Sequence, residues 1–295
     1  MLFAFLCRPY WYSHQKFCVR WCNSYSTNFY TLNGLRQGGI ISRVYFNVYM
    51  DGLSNILNES GIGCSINGFM VNHFMYADDS CVVAPSPVAL QRLLDICHEY
   101  AQTNTIIYNA IKTKCMCFIP KSKVFHNLHI PDVFISNTKL SFVKSIKYLG
   151  VTIVDTLIDD DDMSRHKRYL YSKGNLLSRK FKDCSDKVKS KLFQTFCYNI
   201  YCGHLWTSYK PQTLKSVNVA FNDVYRCLFK IRRGMSTIYV KNNLDSFKVL
   251  LRKGAVGFRK RLMMSENSII KTIIGSVYFY NHSSFTVTWA KEIFV

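Results

Sequence analysis

Two adjacent aspartates, Asp78 and Asp79, sit between apolar runs in HFMYADDSCVV, residues 73–83. Neighbouring carboxylates repel, and the simplest relief is a divalent ion taking hard oxygen ligands. Pairs of Mg²⁺ ions held about 3.5 to 4 Å apart serve phosphoryl-transfer chemistry, one activating the attacking oxygen and one holding the leaving group. Two acids alone fall short of that arrangement, which needs a third carboxylate to bridge both ions. A bare Asp-Asp pair is also what an acidic surface turn looks like, so its neighbours decide its meaning. A second chemical candidate, Cys197, Cys202 and His204, lacks a clear fourth zinc ligand and reads better as buried free thiols.

The elements around the two acids are legible. Phe74, Met75 and Tyr76 before them and Cys81, Val82 and Val83 after them predict a hairpin. Its tip lacks the glycine that a two-residue turn prefers, so turn chemistry alone does not explain the acids. Successive strand residues point to opposite faces, so one acid is expected to face a metal while the other supports it. Upstream, GLRQGGIISRVYFNVYMDGLSNIL (34–57) reads as a glycine turn feeding an amphipathic helix, with Ile41, Val44, Tyr45, Val48, Leu53, Ile56 and Leu57 near helical spacing. Downstream, Ser86 as N-cap and Pro87 at the first position open a helix over 86–102, with Leu90, Leu93, Leu94, Cys97 and Tyr100 on one face.

KCMCFI (114–119) and IKYLGVTI (146–153) read as strands, the second interrupted at Gly150 by a bulge or a close backbone approach. From Met163 to Arg233 the pattern becomes helical and basic. The acidic run at 159–162 just before it fits a solvated linker or a helix N-terminal turn, where the dipole favours negative charge. The segment from Ser276 to Val295 is aromatic and strand-like.

Charge narrows the partners. The 295 residues carry 38 Lys/Arg and 18 Asp/Glu, a net charge of +20, but residues 1–100 hold six of each, so the whole excess lies after position 100. A polyanion, nucleic acid ahead of a membrane surface, is the expected partner. No stretch approaches the roughly 18 apolar residues of a membrane span, and no secretory signal precedes the 12 cysteines. An intracellular, reducing compartment, nucleus or cytoplasm, is therefore expected.

YADD at 76–79, preceded by the RQGG segment and helix of residues 34–53, closely resembles the reverse transcriptases of non-LTR, LINE-like retrotransposons. The helix 89–102, IIYNAIKTKCMCF, IKYLGVTI and YCGHLWTSYK (201–210) follow in that family's order, so the resemblance covers roughly residues 10–270. It implies an α+β fold. Residues 1–155 would form a partial polymerase palm, 156–270 a basic, mainly helical thumb-like region, and 271–295 an unassigned tail.

It implies an RNA-directed DNA polymerase that extends a DNA primer on an RNA template with dNTPs and Mg²⁺. Asp78 and Asp79 would be the metal ligands, with Asp78 the more direct. Arg36, Gln37, Gly38, Gly39, Tyr76 and Ala77 would lie along template and nucleotide, Lys112 would neutralise or protonate the pyrophosphate, and Tyr148, Leu149 and Gly150 would grip the primer.

Residues 1–35 contain no aspartate or glutamate. The family's first catalytic aspartate, with its strand and the fingers, is thus expected to lie outside an N-terminally truncated domain, leaving the chain inactive alone. Arg43, where the family usually has proline, agrees with erosion, because it sets a cation at a helix start. A non-catalytic nucleic-acid-binding protein and a non-functional retroelement remnant are the competing readings.

Overall fold

The computed structural model describes residues 16–30, 38–118, 130–232, 243–277 and 279. In chain order the strands are β1 (Lys16–Phe17), β2 (Arg20–Trp21), β3 (Ser24–Tyr25), β4 (Phe29–Tyr30), β5 (Cys64–Ile66), β6 (Phe69–Val71), β7 (His73–Tyr76), β8 (Asp79–Val82), β9 (Lys114–Cys115), β10 (Phe134–Ile135), β11 (Thr138–Lys139), β12 (Ser141–Phe142), β13 (Ser145–Tyr148) and β14 (Val151–Val154). The helices are α1 (Ser42–Glu59), α2 (Pro87–Thr103), α3 (Asp160–Lys180), α4 (Asp186–Cys197), α5 (Pro211–Phe229), α6 (Phe247–Met263) and α7 (Ser268–Ile274). Helices and small, mostly antiparallel sheets make an α+β chain. Among the described residues the strands pair two by two, not as one continuous palm sheet, because no described strand adds to an outer edge of β7 or β8.

The chain divides into two compact units, one of residues 1–64 and 72–104, the other of 65–71 and 105–295. In the first, α1 packs on α2, burying Met50, Leu53 and Leu57 against Leu93, Leu94, Cys97 and Ala101. Ser86 caps α2 as its sequence predicts, its hydroxyl accepting from the Ala89 N–H at 3.2 Å, with Pro87 at the first position. Helix α1 forms where expected, and of its predicted apolar positions Leu53 and Leu57 are buried, whereas Ile41, Val44, Val48 and Ile56 are exposed. Its apolar residues cover two faces, and α2 occupies only one.

The second unit is built on α3 and α5, whose close approach requires Gly174, since a Cβ there would lie 2.6 Å from a Val224 methyl. Met163, Leu170 and Leu177 of α3, Phe193 of α4, Val217, Phe221, Val224, Tyr225 and Leu228 of α5, and Phe247 of α6 form the core. Phe193 sits edge-on to Phe221 and Tyr225 at 5.1 and 5.4 Å between centroids. Residues 163–232 are mainly helical, as expected, and basic. IKYLGVTI is not one interrupted strand: Gly150 belongs to a two-residue turn between β13 and β14. In KCMCFI only Lys114 and Cys115 are strand among the described residues. Nearly all of the aromatic tail, 278 and 280–295, lies outside the described residues. No described helix is long and apolar enough to cross a membrane.

Candidate functional site

Strands β7 and β8 form the expected antiparallel hairpin, with His73 opposite Val82, Phe74 opposite Cys81, Met75 opposite Ser80 and Tyr76 opposite Asp79. Ala77 and Asp78 make the two-residue turn. Ala77 has φ +53°, the left-handed conformation that glycine adopts most easily, and it carries the turn without one. Asp78 is therefore a turn residue and Asp79 the first residue of β8, so the expected alternation of two strand side chains does not apply to the pair. Both carboxylates are exposed at the tip.

The hairpin is positioned from its base. Asn72 is 1% exposed, and its amide nitrogen donates to the carbonyls of Leu57 at 2.6 Å and Ile62 at 2.8 Å. Those two bonds fix the amide orientation, so its Oδ1 must accept from His73 Nδ1 at 2.8 Å. Neutral His73 then accepts at Nε2 from the Ser54 hydroxyl, 2.7 Å away. Burial pushes the His73 pKa down, which favours this neutral form. The Val83 N–H closes the ladder on the Asn72 carbonyl at 2.8 Å. Asn72, His73 and Ser54 thus tie the acid-bearing hairpin to α1. No motif in the sequence announces them.

Gly38 adopts φ +82°, so the glycine answers a backbone demand, and a Cβ there would meet nothing within 4 Å. Gly39 accepts from the Ser42 N–H at 3.3 Å, setting the entry to α1. Arg36 and Gln37 lie outside the described residues. Lys112 belongs to the second unit and is exposed in a turn whose N–H groups, at 112 and 113, bond back to Asn109.

In the second unit Tyr148 pairs with Val151, and Leu149 and Gly150, at φ +45° and +83°, form the turn. The Tyr201 hydroxyl donates to the Leu149 carbonyl at 2.7 Å, and its ring lies 2.9 Å from where a Gly150 Cβ would be. The close approach expected at Gly150 is thus made by a side chain, not by another backbone.

The acidic run, at the start of α3 as expected, is no solvated linker: it fastens this hairpin to the 203–210 segment. Asp162 is 1% exposed and accepts from the Thr152 N–H at 2.9 Å, Arg165 Nε at 2.8 Å and Trp206 Nε1 at 2.9 Å, with the Arg165 guanidinium ion-paired to it at 2.7 Å. Asp159 accepts from the N–H groups of Thr207 and Ser208 at 2.7 and 2.8 Å. Burial raises the Asp159 pKa despite those bonds, helped by Asp162 and Asp160 beside it. Behind the run, His166 is buried edge-on to Trp206, and desolvation, with Arg165 adding to it, pushes its pKa down to about 4.

Among the described residues no three His, Cys, Asp or Glu side chains gather as a metal site, and Cys197, Cys202 and His204 form none. His204 instead packs its ring on Phe258, centroids 4.6 Å apart. Asp78 and Asp79 alone do not fit a two-ion centre, whose bridging carboxylate is not among the described residues. All the described cysteines are free thiols.

A family profile described as reverse transcriptase (RNA-dependent DNA polymerase) matches residues 1–153. The chain is also 29% identical over 140 residues to the retrovirus-related Pol polyprotein from type-2 retrotransposable element R2DM of Drosophila melanogaster. That alignment covers 44% of this chain and 13% of the polyprotein, so the chain matches a small part of its relative's length.

Proposed function

The chain belongs to the reverse transcriptase family, and from that premise we propose that it supplies the YADD-bearing palm portion and a basic thumb-like portion of an RNA-directed DNA polymerase of the non-LTR kind. In this reading the 295-residue polypeptide binds an RNA template paired with a DNA primer but does not extend the primer alone. The observation that carries it is the hairpin tip: Asp78 and Asp79 are exposed and held by a base anchored to α1, yet among the described residues no third carboxylate stands with them. Two acids cannot keep both ions of a two-metal reaction in register.

Residues 1–155 would serve as the palm portion and 156–270 as the thumb-like portion. Tyr76, Ala77, Gly38 and Gly39, with Arg36 and Gln37, would line template and nucleotide. Lys112 would meet the pyrophosphate, and Tyr148, Leu149 and Gly150 the primer end. The basic excess after position 100 supports the hybrid-binding half of the reading.

Primer extension on an RNA template with Mg²⁺ and dNTPs, run beside anisotropy binding of the RNA/DNA hybrid, tests both halves. The expected result is salt-sensitive binding without incorporation. Incorporation that disappears in Asp78→Ala would show a complete centre and overturn the inactivity. No hybrid binding at low salt would overturn the nucleic-acid half.

A further inference from the structure

In the second unit, α3 and α5 leave a cleft of about 530 Å³ beside the C-terminal end of α5. That is the size of sites that hold small organic molecules. Asp223, Arg226, Cys227 and Lys230 follow one another at helical spacing on the α5 side, and Tyr171 and Gly174 do so on α3, so two stripes face each other across it. The buried part of the lining, Gly174 and Val224, is apolar, and half-buried Ile231 extends it.

Arg226 stands out in this lining. Its Nη1 lies 3.6 Å from Asp223 Oδ1, so the acid holds the guanidinium in the wall, while Nε is cut off from solvent and donates to nothing among the described residues. A buried donor without an acceptor is costly, and an incoming oxygen would relieve it. Cations in the last turn of a helix also answer its dipole, but the dipole explains neither the orphaned Nε nor the apolar lining. The carbonyls of Arg226 and Cys227, which would repel an anion, already accept from the N–H groups of Ile231 and Lys230 at 3.0 and 3.4 Å.

We propose that this cleft binds a small organic monoanion, a carboxylate on an aryl or alkyl body, with its oxygens on Arg226 and Lys230 and its body over Val224 against Tyr171. Charge selects the class. Arg226 and Lys230 against Asp223 leave the lining one positive charge, which a monocarboxylate balances. A phosphate, at close to two negative charges, exceeds it and has no use for the apolar wall. A neutral apolar molecule would fill that wall and leave Nε unmet.

Cys227 is an exposed thiol in the cleft and reports its occupancy. The full chain is alkylated with iodoacetamide and the rate at Cys227 is read by peptide mass mapping, with exposed Cys22 of the other unit as the reference. Phenylpropionate, at about ten times a dissociation constant on the order of 1 mM, should slow Cys227 roughly tenfold and leave Cys22 unchanged. Phenylpropionamide, which has the same shape without the charge, should slow neither. Arg226→Gln should abolish the protection. Lys230→Gln, at an exposed position, should weaken phenylpropionate by about 2- to 5-fold, and it decides the matter if Arg226→Gln does not fold. Absence of slowing, equal slowing by the amide, slowing at Cys22 as well, or unaltered protection in the folded variants overturns the site. Protection of Cys227 by an RNA/DNA hybrid and not by phenylpropionate would assign the cleft to a nucleic-acid surface, which overturns it too.

Discussion

At Asn72 two backbone carbonyls, those of Leu57 and Ile62, receive both amide hydrogens of one buried side chain, and the same side chain sets the tautomer of His73. Asn72→Ala strips both carbonyls of their donor and releases the histidine. Losing these bonds should destabilise the chain by about 2 kcal/mol, read as a fall in the urea midpoint at constant slope. His166 gives the pH counterpart. Its folded pKa, about 4, lies below the ordinary 6.5, so the unfolded state binds more protons between those values. Its contribution is complete above about pH 6.5 and is lost as the pH falls towards 4. The urea midpoint should therefore drop from pH 7 to pH 5, and His166→Gln should flatten part of that drop. A variant with the wild-type pH dependence would show that burial does not hold this histidine neutral.

Two hairpin tips carry left-handed residues, and they differ in what holds them. The β7–β8 turn has Ala77 at φ +53° over an open tip, whereas the β13–β14 turn has Leu149 and Gly150 both left-handed beneath the Tyr201 ring. Two successive left-handed residues are the pattern that Asn-Gly satisfies best. Leu149→Asn should raise thermal stability by about 1 kcal/mol, since a leucine pays roughly that much for this conformation. Gly150→Ala should lower it by about 1 to 3 kcal/mol, because the added methyl meets both a strained φ and the Tyr201 ring. A Gly150→Ala chain melting with the wild type in differential scanning calorimetry would mean that the turn relaxes and that Tyr201 does not clamp it.

Across the whole molecule, what could be read beforehand was whatever depends on local pattern: the capped α2, the β7–β8 hairpin, the helical stretch after Met163 and the family carried by YADD. Contacts distant in sequence escaped. Trp206 meets Asp162 across 44 residues, and Asn72 reaches back to Leu57, and neither spacing has a periodicity to detect. The buried side of α1 was legible only in part, at Leu53 and Leu57, because both of its faces are apolar and only packing on α2 selects between them.

Charge is a global property that was legible, and it sets a global test. Helix α6 holds six Lys/Arg and no acid, with Lys248, Arg252 and Arg259 exposed on one side over about 16 Å of helix. Each phosphate contact contributes about 0.9 to the slope of log affinity against log salt. If this row follows the backbone of a hybrid, reversing all three to glutamate should make that slope shallower by about 2 to 3, and Asp78→Ala should leave it unchanged. Titrations of the hybrid at several salt concentrations decide it: an unaltered slope in the triple variant would move the electrostatic footprint off α6 and onto the cations of α3 and α4.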